Sequence, residues 1–100
     1  MATTPVHVFA RWKVKEGSMP EVLQLLQALR AQTLSEAGNL FYSIHKSSTD
    51  DNTLILFEGY TSASAQEDHV HTAHFKTLAI DGIVPLLSER EVFLTTPLEY

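Results

Sequence analysis

Three of the five histidines fall within Asp68-His69-Val70-His71-Thr72-Ala73-His74-Phe75. Imidazole is the one side chain whose unperturbed pKa lies near neutrality, so the cluster is the first place to look for proton transfer. His69 precedes His71 by two residues and His74 follows it by three. A helix boundary near Thr72 keeps helical arithmetic from placing all three rings together. Two of these histidines and a carboxylate such as Glu58 could form a facial triad for iron. The HExxH spacing is absent, however, and an HxH pair in a short helix directs its rings apart, so no metal is expected. The plainer alternative is that one or two of the rings are exposed helix-end residues, His71 first among them.

Glu58 is the second feature with chemical content. It stands among Leu54, Leu56 and Tyr60 on one face of an apolar segment, where a carboxylate is expensive if buried without a partner. Near a strand end it would pair with a surface cation. Inside the protein it would orient or charge a histidine from the following helices, fixing the tautomer and raising the ring's basicity. Trp12, Tyr60 and Phe75 belong to a set of aromatics most of which must be core. Together they could also line a flat apolar cavity between sheet and helices.

The elements that must position these residues can be read from periodicity. Val6 to Val14 alternates as a strand, with Val6, Val8, Ala10, Trp12 and Val14 on one face. Lys15-Glu16-Gly17 turns the chain. Ser18 and Glu21 have the spacing of a capping box, and Pro20 fits the first helical turn. The helix runs to about Glu36, with Val22, Leu25, Leu26, Leu29 and Thr33 sharing a face. Gly38 is the expected left-handed terminator. Residues 39–46 and 53–60 read as strands joined by the turn cluster SSTDDN. Ser62 can cap a short helix to about Val70, and Thr72 another through Ala79, with Asp81-Gly82 interrupting before Ile83. Residues 89–96 form the fourth strand.

This order, β-α-β-β-α-β, is that of a ferredoxin-like α+β sandwich. Its 100 residues make one domain with a core over about 6–96. Helices on one face leave the other in need of cover, and a second copy of the sheet is the simplest cover. A homodimer through the sheet faces is therefore expected.

Composition removes other functions. There is no cysteine, which excludes disulfides, thiolate metal sites and cysteine nucleophiles. Seven Lys and Arg, scattered against twelve Asp and Glu, give a net charge of −5 and no basic stripe for nucleic acid. No stretch approaches the ~18 apolar residues of a membrane span. The opening MATTPVHVFARW lacks the features of a signal peptide, so a cytoplasmic location is the default. The four glycines stand singly and no GxSxG elbow is present, which argues against a phosphate loop and a hydrolase.

Several short segments carry a family pattern: Lys15-Glu16-Gly17, Ser35-Glu36-Ala37-Gly38-Asn39-Leu40-Phe41-Tyr42, Phe57-Glu58-Gly59-Tyr60, and His69, Thr72, His74, Phe75 as HxxTxHF. In order and spacing the chain resembles the antibiotic biosynthesis monooxygenase domain family, including quinol monooxygenases, over Val6 to about Thr96. The resemblance implies a dimeric α/β barrel. It also implies an enzyme that uses no metal, flavin or haem, deprotonates a small aromatic quinol or anthrone, and lets the anion reduce molecular oxygen. Carried onto this chain, His69 and His74 are the candidate base and oxyanion partner, with Glu58 orienting one of them. Asn39 and Tyr60 would hydrogen-bond a substrate oxygen, and Trp12 and Phe75 would wall the pocket. Tyr60 stands where the family commonly has tryptophan, which alters the pocket wall. Ala37 stands where proline is common, which concerns only the turn. The family also contains isomerases of small keto compounds and haem-degrading members. A non-catalytic dimer that binds small molecules is a further reading.

Overall fold

The computed structural model describes residues 4–100. Strand β1 (Val6–Val14) buries Val8, Ala10, Trp12 and Val14 on one side, the alternation expected of a pleated strand with one covered face. Helix α1 (Met19–Leu34) buries Val22, Leu26, Leu29 and Thr33, a stripe at helical spacing that packs on the sheet. Thr33 satisfies its buried hydroxyl by donating to the Leu29 carbonyl at 2.8 Å.

Both ends of α1 differ from expectation. Ser18 makes no side-chain cap, because its backbone is already near-helical (φ −97°, ψ −2°). An N-cap oxygen reaches the first-turn amides from a non-helical, typically extended, backbone. At the other end the helix stops at Leu34, and Gly38 is not left-handed. Gly17, in the turn after β1, is the only described residue with positive φ, at +83°. Gly38 is glycine for space: a Cβ there would lie 2.5 Å from the Ala65 Cβ.

Strands β2 (Asn39–Lys46), β3 (Thr53–Tyr60) and β4 (Leu87–Thr95) complete an antiparallel sheet in the order β2-β3-β1-β4. Asp50 closes the β2–β3 turn, accepting from the Asn52 amide and the Thr53 hydroxyl at 2.9 Å each. Helix α2 (Ala63–Val70) is capped by the Ser62 hydroxyl, which accepts from the Ala65 amide at 3.0 Å. The next segment departs from the expected break at Asp81-Gly82. A π-helix runs unbroken through that pair, from Phe75 to Ile83, and a single 3-10 turn follows at Val84–Leu86. Gly82 lies against α1, where a Cβ would stand 3.2 Å from Leu25 Cδ1. It serves close packing, not chain reversal.

The helices cover one face of the sheet and enclose a core that includes Trp12, Leu26, Leu29, Leu54, Leu56 and Ile83. The opposite face carries aromatics from every strand. Phe9 and Phe57 stack at 4.6 Å, Phe41 lies 4.7 Å from Phe57, and His7 meets Phe41 edge-on at 5.2 Å. Phe93, paired with Phe9 across β4, is 52% exposed. Patches of this kind on a single chain mark interaction surfaces. No helix among the described residues is long and apolar enough to cross a membrane.

The tight approach of α2 to residue 38 gives a direct test of the packing. Gly38→Ala should cost about 1–3 kcal/mol by overpacking, read as a lower urea midpoint. An unchanged midpoint would contradict the close contact with Ala65.

Candidate active site

The turn after α1 sets the site. The Ser35 amide donates to the Gln32 and Thr33 carbonyls. The Glu36 amide donates to the Thr33 carbonyl at 3.0 Å, and the Asn39 amide to the Glu36 carbonyl at 3.1 Å. Gly38 lets α2 press onto this turn, and its carbonyl accepts from the Thr61 amide at 2.9 Å. Glu36 is thereby aimed at the end of α2 and the start of the π-helix. Its Oε2 lies 2.9 Å from His69 Nδ1 and 2.6 Å from His74 Nε2.

Thr72 joins the two histidines in sequence and space. Its hydroxyl donates to the His69 carbonyl at 2.8 Å and accepts from the Phe75 amide at 3.2 Å. One side chain thus ends α2 below His69 and starts the next helix above His74. His71 takes no part. Its side chain is 70% exposed and its Nδ1 contacts the Glu67 carbonyl at 2.8 Å.

His69 is buried, with Phe75 edge-on at 5.0 Å and Tyr60 at 5.1 Å. Burial lowers its pKa, opposed by the Glu36 carboxylate, so the ring is neutral at pH 7 and carries one N–H. A carboxylate only accepts hydrogen bonds, so that proton sits on Nδ1, toward Glu36. Nε2 is left with its lone pair. This is the arrangement by which a carboxylate fixes an imidazole tautomer and orients the ring as a base.

His69 lines a cavity between the sheet and the helices, with a free volume of about 50 Å³. Trp12, Tyr42, Glu58, Phe75 and Arg90 also border it. Two polar features of the wall stand out. The Trp12 Nε1–H is buried without an acceptor among the described residues, a condition that costs about 1–3 kcal/mol. Glu58 is 7% exposed. Burial pushes its carboxyl up to about 7, with Glu36 adding to the rise and the Tyr60 hydrogen bond and Arg90 opposing it.

Three of the expected residues, Glu58, Tyr60 and Asn39, have partners other than those the sequence suggested. Glu58 does not anchor a histidine: its Oε1 accepts the Tyr60 hydroxyl at 2.6 Å and stays 3.9 Å from His69 Nε2. Nor does it pair with a surface cation at a strand end. Tyr60 is fully buried, donates its hydroxyl proton to Glu58 and does not border this cavity. Asn39 lies apart, its amide nitrogen donating to the Phe41 and Gly59 carbonyls at 3.1 and 3.2 Å. Glu36, the residue on which both rings converge, was missed. A signal for it exists in the sequence: a carboxylate just past a helix C-terminus opposes the helix dipole and calls for another cause.

Comparison with known proteins agrees with this architecture. The sequence profile described as antibiotic biosynthesis monooxygenase matches residues 5–79. The chain belongs to the antibiotic biosynthesis monooxygenase family. It is 33% identical over 73 residues to Rv0793 of Mycobacterium tuberculosis, described as a putative monooxygenase, covering 73% of this chain and 71% of that protein. It is 31% identical over 74 residues to the uncharacterized protein sll1783 of Synechocystis sp., covering 74% of this chain. The match spans only half the length of the Synechocystis protein. The solved structure of Rv0793 superposes with a TM-score of 0.90 at 28% identity, covering 97% of this chain and 98% of that one. A family structure from Caulobacter crescentus superposes equally well (TM-score 0.90) at 23% identity, over 98% of this chain and 93% of that one, and shows the fold alone.

The raised Glu58 carboxyl links this site to stability. The folded state keeps a proton that the unfolded chain releases above its ordinary value of 4.5. The stabilisation is full below pH 4.5 and is lost as pH rises through about 7. A rise of that size corresponds to roughly 3 kcal/mol. Glu58→Gln should therefore gain stability relative to the parent between pH 5 and pH 8 in urea titrations. A difference that does not change with pH would contradict the buried carboxyl.

Proposed function

We propose that this family member is a cofactor-independent monooxygenase acting on a small aromatic quinol, with His69 as the base. The observation that carries the reading is the cavity-lining His69 ring, held through Nδ1 by Glu36 while Nε2 stands 3.9 Å from Glu58, a second lining residue. A quinol hydroxyl gives its proton to Nε2, and the electron-rich anion transfers an electron to oxygen. Recombination forms a carbon–oxygen bond. Loss of water then leaves one oxygen atom in the hydroxyquinone product and the other in water. The catalytic task of the protein is to remove the proton and stabilise the anion. The unpartnered Trp12 Nε1–H is a donor available for the substrate oxygen. His74 shares the Glu36 carboxylate and acts as a positioning residue.

Cavity size bears on the substrate. About 50 Å³ of free space accommodates roughly three or four waters. That favours a one-ring quinol, admitted by modest movement of the wall, over a fused anthrone. Arg90 and Val92 belong to edge strand β4, are exposed, and form the wall with fewest packing constraints.

The aromatic outer face supports the second part of the reading, a homodimer through the sheets. Half-buried Phe57 and exposed Phe93 flank exposed Phe9, which stacks on Phe57, in one row across three strands. A second copy of the sheet would bury this row.

One observation favours a second reading. Glu58, partly protonated near neutrality, lies close to the His69 lone pair, and an acid beside a base suits isomerisation of a small keto compound. Product formed without oxygen would select it.

Oxygen-electrode assays with monocyclic hydroquinones in chelator-treated buffer should show substrate-dependent uptake. His69→Ala should lower kcat about 100-fold or more, and Glu36→Gln should lower it less. Saturable binding with no uptake would leave a non-catalytic binding protein, and uptake restored only by added iron would overturn the mechanism. For the assembly, sedimentation of the parent as a dimer and of Phe57→Glu as a monomer is expected. A monomeric parent would contradict the sheet interface.

A further inference from the structure

Glu36, His69 and His74 each offer one ligand atom, and the three atoms lie within 4.8 Å of one another. They come from the turn after α1, from α2, and from the residue immediately before the π-helix. We propose that they form a divalent transition-metal site of the two-imidazole, one-carboxylate type, suited to zinc, and that metal binding there withdraws His69 from service as a base.

The donor set selects the ion. Two imidazole nitrogens and one carboxylate oxygen suit zinc and its neighbours, whereas magnesium and calcium prefer all-oxygen shells. Bond lengths of about 2.0–2.2 Å in a tetrahedral site separate ligand atoms by roughly 3.3 Å. The hydrogen-bonded pairs now stand at 2.6 and 2.9 Å, so each must widen by less than about 1 Å to admit the ion. Access exists from outside. The Glu36 and His74 side chains are 15% and 19% exposed, and each borders its own surface depression. Water can then take the fourth position.

A neighbouring carboxylate completes the arrangement. A ligating histidine usually donates its other ring N–H to a carboxylate or carbonyl. For His69 the nearest carboxylate on that side is Glu58, whose Oε1 stands 3.9 Å from Nε2 and would have to approach by about 1 Å to accept the proton.

The regulatory consequence follows from the ring having one proton to place. In the hydrogen-bonded form the proton is on Nδ1 and the lone pair is on Nε2. Zinc needs the lone pair on Nδ1, which sends the proton to Nε2. No proton is lost overall, but the nitrogen that would accept one from a substrate is now a donor. Zinc and base catalysis are mutually exclusive at this ring. The inhibitory consequence rests on the monooxygenase reading above; the binding site itself does not.

The test uses untagged full-length protein dialysed against chelator, titrated calorimetrically with zinc in the absence of substrate. One ion per chain is expected. Glu36→Gln and His74→Ala should each weaken binding at least tenfold, and His71→Ala, at the exposed histidine, should leave it unchanged. Circular dichroism checks that the variants fold. The parent supplies a readout independent of any variant: nitrogen-15 spectra should show the His69 proton moving from Nδ1 to Nε2 on zinc addition. No saturable binding, equal weakening by His71→Ala, or unmoved His69 resonances would overturn the site. If oxygen uptake is found, zinc should inhibit it with a midpoint matching the calorimetric Kd. Uptake unaffected by saturating zinc would overturn the inhibition alone. Zinc binding without any uptake would uphold the site and count against the monooxygenase reading.

Discussion

The shared carboxylate of Glu36 is the constraint on which the site depends. A single oxygen receives two imidazoles from different helices, so neither ring can move without disturbing the other. That oxygen also decides where the buried His69 carries its proton, and through the proton, which nitrogen is basic. The close contact of α2 with Gly38 sets how near the carboxylate and the rings stand. Backbone packing, side-chain hydrogen bonding and tautomer are therefore one coupled arrangement.

The polar groups around the cavity divide their labour by environment. Glu36 is partly exposed and works as an acceptor, while Glu58, deeper and facing apolar walls, is driven toward its protonated form. Tyr60 uses its hydroxyl to hold Glu58 in place. The cavity-lining indole comes from Trp12 on β1, with an unused donor.

The two faces of the sheet carry different obligations. The helix-covered face supplies core and cavity, and its alternation of buried residues was legible from β1 and α1. Phe9 interrupts the outward polar side of β1, a local sign in the sequence that the outer face has an apolar surface of its own. The helical region between residues 62 and 86 was legible only in outline. Ser62 caps as its type and place suggest, but nothing in the local pattern distinguishes a π-helix from an α-helix. Gly38 and Gly82 were misread for a common reason. Glycine signals either an unusual backbone or a close neighbour, and only the packing tells which.

By itself the sequence determined the element order, the covered stripe of α1, and the small set of ionisable residues from which a site could be built, because these follow from short-range periodicity and residue chemistry. His69, His74 and Glu58 were identifiable as unusual for that reason. Their relations were decided by tertiary structure. Glu36 lies 33 residues from His69 and 38 from His74, and no local rule links positions so far apart. Only when α2 settles against the turn after α1 does a carboxylate from one element become the anchor for histidines from two others. Hydrogen bonding requires atoms to meet within about 3 Å, and that proximity is a property of the folded chain.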